Sequence, residues 1–558
     1  MILGIDVGGT HTDAVLIEDG FVSRKAKVST RPDNIFESLM EATLRILNEE
    51  DFRRLERVVL STTLSTNAIV QNRIDRVGMI LPSGPGMAPD SLPIDKERYI
   101  VSGYINHRGV EVAPISADEI IRICRSLHGK GIRHLGIVGK FSTRNPEQEL
   151  AIHAMIKESF DHISLGHRMS GHLGFPRRIS TTYLNAAVFD THLSFAEAAG
   201  DFWGSRGRDI PVHILKADGG TCSLEKSVEL PVQTILSGPA ASIMGILGLS
   251  DCRMDAVAVD VGGTTTDISV LAEGVPLLEP RGVTIGGLKT LIRGLRTRSL
   301  GVGGDSEVRF ENGELHIGPQ RNGPASAFGG SDFTPTDAMI LLGFIKGGDR
   351  EKAYRALVEI ARSMDLSPLD AAEKIFDHTC RLIAQAIRGL IREINSEPVY
   401  TIHEILEGRA INPQNIYVVG GPAGPVAERL SDLLDIPAEI PPHAEVANAV
   451  GAALARTTAE ITVLADTEIG MMTIVEDGLR QEIPNRFSRQ DAHAVCRERL
   501  GRMARAMGAM EDDMEIQIVE DQEFNMVRGY YTAGKNIRVK AQIKPGLIAG
   551  FGKGRRIQ

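Results

Sequence analysis

The chain has 558 residues, 42% of them hydrophobic and 24% charged, the balance of an ordinary soluble globular protein with room for about three to four domain-sized units. A formal net charge of −10 argues against a nucleic-acid polyanion as the main partner, and the tail Lys553-Gly554-Arg555-Arg556 is the only basic run that stands out. Cysteines 124, 222, 252, 380 and 496 are scattered with no C-x-x-C pair, which gives no sign of a disulfide framework or a zinc or iron–sulfur site.

The first element is a hairpin. Ile2-Leu3-Gly4-Ile5 leads into Asp6-Val7-Gly8-Gly9-Thr10-His11-Thr12-Asp13 and on to Ala14-Val15-Leu16-Ile17. Apolar runs on either side of a Gly-Gly turn predict strand, tight turn and strand. Glycine leaves no Cβ in the way of a ligand. Successive N–H groups at such a turn form an anion-binding concavity, to which Thr10 adds a hydroxyl. An Asp at the end of the first strand suits hydrated Mg²⁺, which keeps waters and takes few carboxylates.

Pro32-Asp33 predicts a helix start, with the helix near Asn34–Asn48. A strand at Arg57–Leu60 runs into Ser61-Thr62-Thr63-Leu64-Ser65-Thr66-Asn67-Ala68-Ile69-Val70. Ligands collect at the carboxyl ends of strands in open α/β sheets, and N-capping by Ser or Thr is the plainer reading of the same hydroxyls. Val77–Leu81 reads as a strand and Asp90–Pro114 as irregular. Ser116–Leu127 reads as a helix capped by Ser116 with Glu119 at the capping-box position. His134–Val138 follows as a strand and Asn145–Phe160 as a helix, an order that implies a largely parallel sheet. His167 and His172 read as loop residues. Arg177-Arg178 opens a helix running to Val188, and the two guanidinium groups suit a carboxylate or phosphate.

In the second half Pro211–Ala217 predicts a strand before Asp218-Gly219-Gly220-Thr221. Leu236-Ser237-Gly238-Pro239-Ala240-Ala241-Ser242 turns into a small-residue helix. The opening phrase then returns as Asp260-Val261-Gly262-Gly263-Thr264-Thr265-Thr266-Asp267, with only His11 against Thr265 differing. Its flanks, Ala256-Val257-Ala258-Val259 and Ile268-Ser269-Val270-Leu271, repeat the apolar pattern too. Two near-identical hairpins at a half-chain period make an ordinary capped turn a poor explanation and a two-sided clamp on a polyphosphate and its metal a good one. Helical patterns fill Arg350–Asn395. Asn415–Val419 is an apolar strand entering the turn Gly420-Gly421-Pro422-Ala423-Gly424 and the helix Val426–Leu434. Such a turn lays backbone against a flat base or ribose.

Paired Asp-x-Gly-Gly-Thr hairpins resemble the actin/hexokinase/Hsp70 ATPase superfamily. Gly-Gly-Thr-x-Thr-Asp in both copies is similar to the hydantoinase A/5-oxoprolinase family. Further stretches resemble that family: Thr62-Thr63 with Thr66-Asn67-Ala68, Arg178 to Ala186, Ser237-Gly238-Pro239-Ala240, Ser299 to Ser306, Gly323 to Ala338, the Gly420 turn, and the helix after Pro441-Pro442. The chain departs from the pattern at His11 for Phe, Ser61 for Gly, Arg177 for Glu, Asp305 for Gly, and an inserted Pro422-Ala423.

The resemblance covers roughly residues 1–455. It implies an α/β fold of two duplicated actin-like, ribonuclease H-like lobes around a nucleotide cleft, 1–185 and 186–456. A small α+β region of unassigned role occupies 457–558. In it 461–467, 471–477, 515–519 and 537–543 read as strands and Ser488–Met507 as a helix. The expected cofactors are ATP and Mg²⁺. Gly8, Gly9, Thr10, Gly262, Gly263, Thr264, Thr265, Gly303, Gly304, Gly420, Gly421 and Gly424 are the nucleotide candidates. Asp6 and Asp260 are the metal and catalytic candidates, with Asp13 and Asp267 weaker catalytic ones, and Thr62, Thr63, Thr66, Asn67 and Arg178 are substrate candidates.

The implied activity is ATP-dependent opening of a cyclic amide such as a hydantoin, oxoproline or other lactam. A B-type subunit is expected to complete hydrolysis, and a homo-oligomer is left open. An ATP-dependent ketone carboxylase subunit and a chaperone-like reactivating ATPase are the alternatives. A sugar-type kinase fits the second hairpin and the Thr-rich segments poorly. Pro231–Leu249, the most apolar long stretch, is broken by Ser237-Gly238-Pro239 and falls short of a membrane span. The N-terminus has no secretory pattern, so the expected location is the cytoplasm.

Overall fold

A computed structural model of the chain describes all residues except 32–33, 95–96, 207–209, 397–409 and 550–558. The expected helix start at Pro32-Asp33 therefore lies outside the described residues; the helix itself runs Ile35–Ile46, capped by the Asn34 side chain.

Both hairpins form, and in the same register. Ile2–Val7 pairs antiparallel with His11–Glu18, setting Asp6 opposite Asp13 and Val7 opposite Thr12. Ala256–Val261 pairs with Thr266–Ala272, setting Asp260 opposite Asp267 and Val261 opposite Thr266. On its other side each first strand gains a parallel neighbour. Arg57–Thr62 places Ser61 beside Asp6, and Asn415–Gly420 places Val419 beside Asp260. Phe21–Ser29, Val212–Leu215 and Thr221–Ser223 complete the first sheet, while Val275–Pro276, Thr297–Leu300 and Ala438–Glu439 extend the second. The duplication read in sequence is thus a duplication of hydrogen-bonding pattern.

Alternation along the strands decides what each sheet covers. Leu3, Ile5 and Val7 pack with Leu39, Phe195 and Trp203 on the outer side of the first sheet. Val257, Val259 and Val261 pack with Ile383 and Ile387 of the long helix Pro368–Ser396 on the outer side of the second. Between the sheets, Val15, Ile17, Ala256 and Ala258 meet the helices Ser237–Leu249 and Ala447–Leu454. These two helices touch backbone to backbone. A Cβ on Gly451 would lie 1.9 Å from Ala241 O, and one on Gly245 would lie 2.0 Å from Ala447 O. Gly4 admits the same helix to the first sheet, since its Cβ would lie 2.1 Å from Ala449 O. The small-residue stripe is the condition for this approach.

A second parallel sheet, ordered His162–Leu165, His134–Ile137, Val77–Leu81, Arg98–Ile100, belongs to the first half, as the alternating strands and helices imply. Residues 90–114, read as irregular, contain the short strands Arg98–Ile100, Tyr104–Ile105 and Glu111–Ala113. Ser116 caps its helix as expected, but the Glu119 side chain turns to Ser102 instead of closing a capping box. His167 is a correction. It lies in the short helix Gly166–Met169 and is fully buried, its Nδ1 2.6 Å from Glu149 Oε2, a buried polar pair for which the sequence offers no spacing signal.

The C-terminal region folds as an antiparallel sheet ordered Leu479–Glu482, Met471–Ile474, Glu460–Asp466, Tyr531–Ile543, Ile516–Arg528. Helix Arg489–Ala506, capped by Ser488, lays Ala492, Cys496, Leu500 and Ala504 against Ile461, Val463 and Val539. Its last two strands form a longer hairpin than expected. Their outer half is exposed, so no apolar alternation marks it. Among the described residues no helix is long and apolar enough to cross a membrane.

Candidate active site

The two turns face one another. Gly8 N donates to His11 O at 3.0 Å and Gly262 N to Thr265 O at 2.9 Å, closing both turns alike. The position a Cβ would take on Gly263 lies 3.5 Å from Thr10 Oγ1 of the opposite hairpin. Gly9, Gly421 and Gly424 are exposed and a Cβ on any of them would meet nothing within 4 Å, so backbone lies open to a ligand on both sides of the gap. Gly420 is the counterpart of Thr62, each beside the last residue of a first strand. It takes φ of +100°, where its Cβ would strike Val261 O at 2.3 Å; only glycine fits there.

Beneath the turns the carboxylates converge. Ser242 Oγ donates to Asp260 Oδ2 at 2.5 Å and Asn448 Nδ2 donates to the same oxygen at 3.2 Å. Asn448 also lies beside Asp6. Burial raises Asp6 from 3.8 to about 7, Asp13 and Asp260 adding to the rise while Ser61 and Asn448 oppose it. Asp6 Oδ1 and Ser61 Oγ are buried without a hydrogen-bond partner among the described residues, as is Asp267 Oδ1. Burial raises Asp267 to about 7, with Asp260 reinforcing the effect and Ser299 opposing it. Buried carboxylate oxygens of this kind are costly unless something is bound to them. A hydrated divalent cation suits the donor set, so the residues fit Mg²⁺. Asp13 differs: Lys27 Nζ lies 2.8 Å from both of its oxygens and also donates to Glu445 O.

Three further residues stand at the clamp that the sequence reading did not place there. Asn448 is the sole polar side chain of Ala447–Leu454, and the Gly/Ala face that reads as packing is what carries it between the two Asp residues. Ser242 arrives on the partner helix in the same way. Arg321 Nη2 lies 3.2 Å from Asp305 Oδ2, and that carboxylate oxygen lies 2.8 Å from the Cβ position of Gly263. Burial holds His11 below its usual 6.5, with Lys27 and Arg321 adding to the fall. Thus two departures from the family pattern, His11 and Asp305, share one neighbour in Arg321.

Other candidates are engaged within the chain. Gly303 N donates to Ser306 Oγ at 2.8 Å and Gly304 N to Gly262 O at 2.9 Å, so this loop braces the second turn from behind. Thr336 N holds it by donating to Gly304 O at 2.8 Å. Thr62 Oγ1 accepts from Leu64 N, Asn67 Nδ2 donates to Thr63 Oγ1, and Thr66 Oγ1 accepts from Leu236 N at 2.8 Å. Together with Ser237 Oγ donating to Thr62 O at 3.0 Å, they join the first sheet to the start of the helix Ser237–Leu249. Thr264 is exposed and Thr265 half-buried on the second turn. Arg178 is enclosed at 0% exposure, its Nη2 donating to Gly139 O and Lys140 O at 2.8 Å each. Arg177 Nη1 donates to the carbonyls of Arg281 and Thr290.

Two duplicated lobes meeting at facing hairpin turns are the actin-like ATPase fold. It is shared with the nucleotide-free structure of acetone carboxylase (TM-score 0.73, 18% identity, 97% of this chain and 87% of that one). The ATP-dependent caprolactamase structure from Pseudomonas jessenii shares it too (TM-score 0.70, 19% identity, 97% and 87%). The chain belongs to the hydantoinase/oxoprolinase family: residues 178–461 match that family and residues 2–160 match its N-terminal region.

Among curated relatives, the acetophenone carboxylase gamma subunit of Aromatoleum aromaticum is 25% identical over 67% of this chain and 58% of its own length. The caprolactamase subunit alpha of Pseudomonas jessenii is 24% identical over 77% and 66%. The acetone carboxylase beta subunit of Xanthobacter autotrophicus is 23% identical over 76% and 65%. The chain thus spans under two thirds of these relatives.

Proposed function

We propose that this chain is the ATP-dependent activating component of a cyclic-amide hydrolase of the hydantoinase/oxoprolinase type. The observation that carries the reading is the convergence of Asp6 and Asp260 on Asn448 beneath two facing Gly-Gly turns. Backbone at Gly8, Gly9, Gly262 and Gly263 and the hydroxyls of Thr10, Thr264 and Thr265 hold the phosphates. The turn Gly420, Gly421 and Gly424 lies under the nucleoside, and Gly303 and Gly304 support the second turn from behind.

Asp6 and Asp260 would hold hydrated Mg²⁺, which when bound would supply charge neutralisation to the phosphates. Asp267, with a pKa near neutrality, accepts or releases a proton at the rear of the site, while Asp13 balances Lys27. Arg321, steadied by Asp305, offers its guanidinium to charge developing between the turns. The chemistry is transfer of ATP's third phosphoryl group to the amide oxygen with release of ADP; water then attacks the activated ring carbon, and the ring C–N bond and the phosphate bond break to give the amino acid and phosphate. Thr63 and Asn67, half-buried at the strand end, are the proposed substrate neighbours.

The caprolactamase alpha relative favours an amide substrate, and the names of the relatives as subunits favour a separate B-type partner. The carboxylase relatives favour a second reading, activation of a ketone with bicarbonate in the same cleft. The deciding experiment is Mg²⁺-dependent ATP hydrolysis by wild type and Asp260→Ala, with a panel of lactams and hydantoins or of ketones with bicarbonate. Stimulation by one cyclic amide, abolished by the substitution, is the expected result. Stimulation by a ketone with bicarbonate alone would move the assignment to carboxylation.

A further inference from the structure

Away from the clamp lies a cavity of 650 Å³, within the range of small-molecule sites. Its walls include the strand His162–Leu165, the helix Phe175–Ala187, residues 228–233, the turn at 216–218 with 291–293, and the C-terminal region through Glu460, Glu476 and helix Arg489–Ala506. Two stretches that stood out in the sequence and that the clamp does not use, Arg177–Val188 and Asp218–Thr221, thereby find a common place.

The carboxylates of this cavity are served by the protein's own donors. Asp218 accepts from Gly220 N and from Thr458 Oγ1 at 3.0 Å. Glu476 accepts from Thr462 N at 2.7 Å and Thr462 Oγ1 at 2.9 Å. Glu460 lies 2.9 Å from Lys540 Nζ. Lys216 is likewise spent, donating to Thr458 O at 2.7 Å. Arg293 is different. Its Nη1 makes ion pairs with Asp218 at 3.6 Å and Glu460 at 3.7 Å, and its Nη2 is buried with no acceptor among the described residues. A buried guanidinium N–H without an acceptor calls for one. Arg168, Arg499 and Arg502 also line the cavity, Arg499 lying 3.9 Å from Asp477 and Arg502 2.6 Å from Glu498, while Leu230, Ile292, Met503 and Met507 offer an apolar wall.

We propose that this cavity binds a small organic carboxylate with an apolar body, its carboxylate held by Arg293 and its body against Met503. Occupancy would tie the C-terminal region to the first half of the chain, which gives that region a role in ligand sensing. The site stands independently of the nucleotide clamp. In one respect it deepens the proposed function and rests on it: opening a cyclic amide frees a carboxylate on an aliphatic chain, so the product belongs to the class this cavity takes.

The test is calorimetric titration of the full-length chain with hexanoate, 6-aminohexanoate and the neutral hexanamide. Hexanoate should bind at one site per chain and hexanamide roughly tenfold more weakly, the usual cost of losing a charge-assisted pair. Arg293→Gln should lose a similar factor, and Met503→Trp, which adds bulk at another lining position, should abolish binding. Asp260→Ala should bind hexanoate as wild type does, which separates this site from the clamp. Equal binding of hexanoate and hexanamide, unchanged binding by Met503→Trp, or no hexanoate binding by a wild-type chain that melts cooperatively would each overturn the proposal. Should Arg293→Gln fail to fold, the Met503→Trp titration decides.

Discussion

Asn448 donates to Asp260, 188 residues before it in the chain, at 3.2 Å and lies beside Asp6, so one side-chain amide spans the strand ends of two sheets. It keeps two acidic groups at a fixed separation. Asn448→Ala should leave the helix packing intact and reduce ATP turnover about tenfold or more, since a hydrogen bond to a charged group contributes about 1.5–3 kcal/mol. Steady-state ATPase assays, read beside a thermal melt, check this.

Arg321 is expected to respond to the third phosphate rather than to the nucleoside. Arg321→Ala should weaken a non-hydrolysable ATP analogue by roughly tenfold or more and leave ADP binding nearly unchanged, as loss of one charge-assisted contact requires. Asp305→Asn should show the same selectivity in weaker form, because Asp305 positions the guanidinium at 3.2 Å. Titration of both nucleotides into both variants supplies the comparison.

Buried carboxylates make the empty clamp sensitive to pH. Asp6 rises from 3.8 to about 7, so folding favours its protonated form. Its contribution is most favourable below about pH 4 and is lost as pH climbs through 7. Each tenfold change in acidity between the folded and unfolded chain corresponds to about 1.4 kcal/mol. Asp6→Asn should therefore stabilise the nucleotide-free chain at pH 8 by up to about 4 kcal/mol, an upper bound from the same linkage, with little difference at pH 4. Melting temperatures across that range give the sign directly. Mg²⁺ should narrow the gap at pH 8 by stabilising wild type alone.

The close helix crossing between the sheets carries its own prediction. A Cβ on Gly451 would lie 1.9 Å from Ala241 O and 2.4 Å from Gly245 N, both backbone atoms, so relief requires moving a helix. Gly451→Ala should cost about 3 kcal/mol or more, read as a lower unfolding midpoint in denaturant.

Much of this arrangement is legible in the chain because it is local. The Gly-Gly turns, the flanking apolar runs and the Ser488 cap are written in consecutive residues, and all form where the pattern puts them. What escapes is what the fold assembles from afar. Asn448 sits in a helix of Gly and Ala that announces packing, and only the crossing with Ser237–Leu249 turns it toward two Asp residues. Arg321 lies in a loop without periodicity and gains meaning from Asp305. The Arg178 guanidinium reads as an exposed anion site because sequence does not reveal burial; the Gly139 and Lys140 carbonyls take its Nη2, and its Nε and Nη1 are buried with no acceptor among the described residues. The outer half of the 516–543 hairpin is exposed on both faces, Phe524, Val527, Tyr530 and Tyr531 included, so no core-facing apolar alternation marks it as strand.

A nucleotide held between the two turns is the central claim, and Gly9 tests it most directly. A Cβ there meets nothing within 4 Å, so Gly9→Val should melt as wild type does while crowding the phosphates. Titrated with Mg²⁺-ATP, wild type should bind saturably and Gly9→Val should bind about a hundredfold more weakly, a loss near 2.8 kcal/mol. Equal affinity in the two proteins, or a folded wild type that binds no ATP, would contradict the clamp.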